Sequence, residues 1–214
     1  MLLAAEKQQV EALLITGDFV GYYFEPLEVL KLLEPWSKHA VRGNHEDMLC
    51  VARSNANFLE TVDARYGLGL RCAIEQLDDH QLDDLCALPH PKNIEIEDYK
   101  ILLCHGSPWS TEEYIYPDAD KNVLNRFSDI GFHVIIHGHT HYPAQHVVGK
   151  TLLVNPGSVG QPRNRQPGAH WATFDTKTRM LEFRCESYDA AELIKVCAQK
   201  TPKLPYLAEL LVRT

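Results

Sequence analysis

Phe132-His133-Val134-Ile135-Ile136-His137-Gly138-His139-Thr140-His141 is the stretch on which the reading of this chain turns. An apolar, β-branched run that stops at a glycine and delivers His137, His139 and His141 at alternate positions reads as a buried strand ending in a metal-binding turn. Side chains two apart on an extended backbone point to the same side, so His139 and His141 reach one small volume, one ion each of a pair. The plainer alternative is a histidine-rich surface loop, and the stretch alone does not separate the two.

Composition narrows the class. The chain has 214 residues, 45% hydrophobic and 23% charged, enough for a sizeable core in one domain spanning 1–214 with a helical tail over about 189–214. A formal net charge of −8 and the lack of a basic, aromatic-interleaved face argue against a nucleic acid or an anionic membrane as the main partner. A soluble enzyme, alone or as a homo-oligomer, is the expectation these features leave. Cysteines at 50, 72, 86, 104, 185 and 197 form no C-x-x-C pair, so neither a zinc knuckle nor a dithiol motif is indicated, and buried free thiols are expected. Glu6 and Lys7 fall where a secretion signal is still apolar, and no apolar run approaches the roughly 20 residues of a membrane span, so the expected location is cytoplasmic.

Outward from the histidine turn, the same punctuation recurs. Residues 2 to about 11 read as a helix, and Ala12 to Thr16 as an apolar strand running into Gly17-Asp18-Phe19-Val20-Gly21. A helix opens at Glu25-Pro26 and stops at Pro35. A short strand, Ala40-Val41-Arg42, feeds Gly43-Asn44-His45-Glu46. Residues 47 to 86 are expected to be largely helical, with Asp78 and Gln81 as a capping box; the acidic group Asp78, Asp79, Asp83 and Asp84 is better explained by helix-end charge than by a metal. Residues 94–97 and 99–104 make a hairpin that ends in His105-Gly106-Ser107-Pro108, and a long aromatic loop follows over 109–121. A helix is expected over about 122–129. Hairpins are expected at 145–154 and 169–185, then helices over 190–199 and 207–212.

Four strand ends therefore carry a glycine beside a hard or imidazole ligand: Asp18, Asn44, His105 and the His139/His141 pair. A carboxylate, an amide oxygen and several imidazoles, without thiolate, suit Mn, Fe, Ni or a catalytic Zn ion. In that order, G-D-F-V-G at 17–21, G-N-H-E at 43–46, H-G at 105–106 and G-H-T-H at 138–141 resemble the successive motifs of the calcineurin-like metallophosphoesterase superfamily. H-G-S-P at 105–108, E-Y-I-Y-P at 113–117 and N-P-G-S-V-G-Q-P-R at 155–163 resemble its small YfcE/MJ-type phosphodiesterase branch.

The resemblance implies an α/β fold, a four-layer α-β-β-α sandwich of two mixed sheets with the site at the strand ends. It implies hydrolysis of a small phosphorylated substrate, a phosphodiester or phosphomonoester, by a metal-activated water. Asp18 would bridge two ions, with Asn44, His105 and His139 completing one site and His141 serving the other. His45 would polarise the phosphate or protonate the leaving oxygen, and Arg163 or Arg42 would add a phosphate contact, although surface ion pairs are the plainer reading of both arginines. His137 has no counterpart among the ligands. Family members open with a strand ending in Asp-x-His, and no such motif precedes residue 12. The expectation is thus a fold missing its first central strand, one complete metal site where the family has two, and impaired hydrolysis. A misassigned start codon, a one-metal enzyme and a non-catalytic metal-binding scaffold are the three accounts of that gap.

Overall fold

In the computed structural model, which describes residues 1–214, eighteen elements follow in the order α1 Leu2–Lys7, β1 Leu13–Ile15, α2 Pro26–Leu33, β2 Lys38–Ala40, α3 Asn44–Ala52, α4 Ala56–Tyr66, α5 Gly69–Gln76, α6 Asp79–Ala87, β3 Lys92–Ile96, β4 Tyr99–Leu103, α7 Lys121–Asn125, β5 Val134–Ile136, β6 Ala144–Val148, β7 Thr151–Asn155, β8 Ala169–Phe174, β9 Leu181–Glu186, α8 Ala191–Lys200 and α9 Tyr206–Val212. The backbone of the molecule is a mixed five-stranded sheet, β3-β4-β5-β7-β6, parallel at its centre and closed on each side by an antiparallel hairpin.

Buried strands in such a sheet need apolar side chains on both faces, and β4 supplies them. Ile101 and Leu103 point into one core with Val134, Val154, Ile94 and Val41, while Leu102 and Cys104 point into another with Ile115, Phe127, Ile135 and Leu153. The first core is the seam between two β layers, since Leu14, Phe174 and Leu181 pack into it from β1, β8 and β9. The α/β architecture with facing sheets is as expected. The second layer differs in detail, being two separate ladders, parallel β1-β2 and antiparallel β8-β9. No helix of the chain is long and apolar enough to cross a membrane.

Three further differences have local causes. The second strand lies at Lys38–Ala40 rather than 40–42, because Arg42 N–H leaves β1 and donates to Pro89 O at 3.0 Å. The first helix ends at Lys7, and residues 47–86 break into helices divided at Asn55, Gly67 and Asp78. Asn55 caps α4 through Phe58 N–H, and the Asp78–Gln81 capping box forms as expected. These helices carry a core of their own around Leu49, Leu59, Leu70 and Leu82.

Not every cysteine is a free thiol. Cys50 of α3 and Cys86 of α6 form a disulfide, with Cα atoms 5.8 Å apart, and only Cys72, Cys104, Cys185 and Cys197 are free. The two are separated by 36 residues of sequence and meet because α3 packs on α6, a contact no spacing rule shows.

Candidate metal centre

Register places the first two candidate ligands. Leu103 pairs with Ile136 in the parallel β4-β5 ladder, so both strands end level and His105 and His139 emerge side by side. Gly138 N–H donates to His105 O at 2.6 Å. The turn is held from β7 by Asn155, whose Nδ2 donates to Gly138 O at 2.8 Å and Thr140 Oγ1 at 2.9 Å. His105 Nδ1 donates to Thr16 O at 2.6 Å, which fixes the tautomer and leaves the Nε2 lone pair pointing into the site.

The other two candidate ligands come from loops. Asp18 follows β1, and Asn44 is the first residue of α3. Glu46, one turn into that helix and fully buried, locks both loops together. One carboxylate oxygen accepts from Asp18 N at 2.9 Å and Gly43 N at 2.8 Å, the other from Phe19 N at 2.8 Å and Val20 N at 3.3 Å. Asp18 Oδ1 in turn accepts from His45 N–H at 3.1 Å, using a free donor at the start of α3. Gly43 is required by this closeness, because a Cβ there would lie 2.2 Å from Asp18 Oδ1. The role of Glu46 escaped the sequence reading; its place three residues after Gly43 was the available signal.

Asp18, Asn44, His105 and His139 converge. From His105 Nε2 the distances are 3.0 Å to Asn44 Oδ1, 3.1 Å to His139 Nδ1 and 3.3 Å to Asp18 Oδ2. Ligand atoms of Asp18, His105 and His139 all lie within 4.8 Å of one another. With the His105 proton committed to Thr16 O, its Nε2 lone pair, the Asp18 carboxylate and the Asn44 amide oxygen face one point, a set of acceptors that one cation would satisfy together. The donor set therefore fits a divalent ion. His141 stands outside the cluster. Its Nδ1 donates to Gln161 O at 2.8 Å, leaving Nε2 as a lone pair.

Electrostatics divide the candidates: burial works to lower His105, yet Asp18 and the Thr16 carbonyl hold it above the usual imidazole range. Burial works to raise the Asp18 carboxyl, yet His105, His45 and His141 hold it well below the usual carboxylate range. Burial, reinforced by His105, pushes His139 down to about 4; burial and Arg163 push His141 down to about 3. His45 is lowered chiefly by burial. His139 and His141 are thus neutral at physiological pH, the form in which imidazole binds metal. Burial and the neighbouring Asp18 push Glu46 up to about 7 against the pull of its backbone donors. Asp18, His139 and His141 also share a left-handed backbone, at φ 57°, 61° and 62°. Non-glycine residues in that region cluster at ligand-binding sites.

The remaining candidates separate cleanly. His45 is buried beside Asp18, with its Nδ1 unpartnered and its ring 4.4 Å from that of Tyr22. Arg163 forms no ion pair; its guanidinium donates to Tyr22 Oη at 3.1 Å and Gln161 Oε1 at 3.0 Å. Arg42 is committed elsewhere, to Cys86 O, Leu88 O and Asp47. His137 is buried with neither ring nitrogen partnered, on the face opposite the seam.

With the geometry in hand, the relatives are informative. The calcineurin-like phosphoesterase superfamily domain matches residues 1–179, and the chain belongs to that family. An uncharacterized protein of Methanocaldococcus jannaschii, MJ0912, is 27% identical over 198 residues, covering 84% of this chain and 77% of that one. A probable metallophosphoesterase of the same organism, MJ0623, is 37% identical over 81 residues, 37% of this chain and 39% of its own. A metallophosphoesterase from Sphaerobacter thermophilus superposes with a TM-score of 0.76 at 26% identity, covering 99% of this chain and 92% of that structure. The hypothetical protein PH1004 from Pyrococcus horikoshii shares the fold at a TM-score of 0.81 and 20% identity, over 99% and 89% of the two chains.

Proposed function

We propose that this chain is a metal-dependent phosphoesterase acting on a phosphodiester, with one divalent ion of the Mn, Fe, Ni or Zn type held by Asp18, Asn44, His105 and His139 and with His141 Nε2 offered to a second. The observation that carries the reading is the convergence of Asn44 Oδ1, His139 Nδ1 and Asp18 Oδ2 within 3.3 Å of His105 Nε2, beside an arginine without an acidic partner. Bound there, a divalent ion supplies Lewis-acid polarisation of a phosphoryl oxygen and an acidified water.

The chain's own residues do the rest. Asp18, ionised, gives the site its single carboxylate, and Asn44 contributes an oxygen without adding negative charge, so the site stays electropositive toward an anionic ester. The Arg163 guanidinium, free of any acid, matches the one negative charge of a diester. His45 places an imidazole next to Asp18 and, with Nδ1 buried against Gly21, has its other ring nitrogen left to hydrogen-bond the departing oxygen. Tyr114 packs over His139 with ring centroids 4.2 Å apart and closes the site on the side of the 109–121 loop.

The test is turnover of bis(p-nitrophenyl) phosphate by protein loaded separately with manganese and zinc. Metal-dependent hydrolysis that disappears in His105→Ala is expected. Stoichiometric metal binding without turnover of this diester or of p-nitrophenyl phosphate would instead establish the scaffold reading.

A further inference from the structure

Tyr22 carries no role in any motif read from the sequence, yet it lies between the two histidines that flank the ligand cluster. Its ring centroid is 4.4 Å from that of His45 and 6.1 Å from that of His141. The backbone is made to bring it there. Gly21 has φ +97°, and a Cβ on it would fall 1.7 Å from His45 Nδ1, so only glycine lets the chain pass the imidazole and turn Tyr22 inward.

The direction of its hydrogen bond is the informative point. Arg163 Nη2 has only protons to give, so across the 3.1 Å contact the phenol oxygen accepts. That is the hydroxyl's one hydrogen bond, and its own proton has no acceptor in the chain. An O–H whose oxygen already accepts from a cation is a stronger donor than a free phenol. Arg163 is itself held by Gln161, whose main-chain oxygen accepts from His141 Nδ1 at 2.8 Å. Tyr22, Arg163, Gln161 and His141 thus form one connected network beside the candidate metal ligands.

We propose that Tyr22 Oη and the Arg163 guanidinium together are a phosphoryl-oxygen binding pair of this site, the arginine polarising the phenol and the phenol donating its proton to a non-bridging oxygen of the bound phosphoryl group. This rests on the phosphoesterase reading for its substrate, but not for its test. A buttress role for Tyr22 predicts something different, since the aromatic ring alone then matters.

The experiment compares the metal-loaded full chain with Tyr22→Phe, Arg163→Ala and the double variant. Two readouts are taken: the dissociation constant for inorganic phosphate by calorimetry, and kcat/KM on bis(p-nitrophenyl) phosphate. Tyr22→Phe is expected to weaken phosphate about tenfold, the loss of one hydrogen bond to a charged acceptor, with manganese affinity and melting temperature unchanged. In the Arg163→Ala background the same change should cost no more than about twofold, because the unpolarised phenol has lost its advantage. A phosphate constant within twofold of the parent in Tyr22→Phe, additive losses in the double variant, or no phosphate binding by the parent, each overturns the pair. A tenfold loss of phosphate affinity in a parent that hydrolyses no ester leaves the pair standing and removes the phosphoesterase reading instead.

Discussion

The two halves of the ligand cluster are held by opposite means. His105 and His139 ride on β4 and β5, whose ends are levelled by a parallel ladder and buried among Leu102, Leu103, Val134 and Ile135. Asp18 and Asn44 sit on loops whose mutual position depends on one buried carboxylate, Glu46, taking four backbone N–H groups. The apolar half spreads its positioning over many small contacts, so removing one weakens the fold before it moves a ligand. The polar half concentrates it in one side chain, so removing that side chain moves ligands directly.

The contrast can be broken or sharpened in order of effect on metal affinity. Asp18→Asn removes the only carboxylate of the cluster, and manganese affinity by calorimetry should fall on the order of a hundredfold or more. Glu46→Gln changes no metal-facing atom, yet puts an NH2 where a buried N–H needs an acceptor. It should cost about 2–3 kcal/mol in urea unfolding and at least about tenfold in metal affinity. Leu103→Ala opens a cavity in the seam and should cost about 2–5 kcal/mol in the same unfolding experiment, while the folded protein keeps its metal affinity within a few fold. Equal metal losses in Glu46→Gln and Leu103→Ala would erase the distinction between the halves. His137→Leu should leave metal affinity unchanged and stability within about 1 kcal/mol or better, since both ring nitrogens are buried without partners.

The strand-held half was the more legible in sequence. An apolar run ending at Gly138 is a local pattern, and both β5 and the hairpin turn at Gly149 follow from it. The loop-held half was legible only as motifs. Asp18 and Asn44 were visible as residue types beside glycines, but the staple joining them spans 26 to 28 residues and leaves no periodicity. Tyr22 and Arg163 are 141 residues apart and meet only because the N-P-G-S-V-G-Q-P-R segment folds back across the site. Shorter but still non-local separations concealed the Cys50–Cys86 disulfide, 36 residues apart, and the end of β2, which is set by Pro89 rather than by its own residues.

The left-handed backbone at Asp18, His139 and His141 has a thermodynamic corollary. Such residues cost about 1–3 kcal/mol each, so the backbone of the candidate centre works against the fold that creates it. An ion bound only by the native chain offsets that cost, and metal concentration then acts as a stability variable like temperature or denaturant. At a hundred times its dissociation constant a single ion adds about 2.7 kcal/mol. In a chain of 214 residues that amounts to a melting temperature roughly 5–10 °C higher. Scanning calorimetry with and without a chelator should register that difference, making a chelator a mild denaturant of this protein.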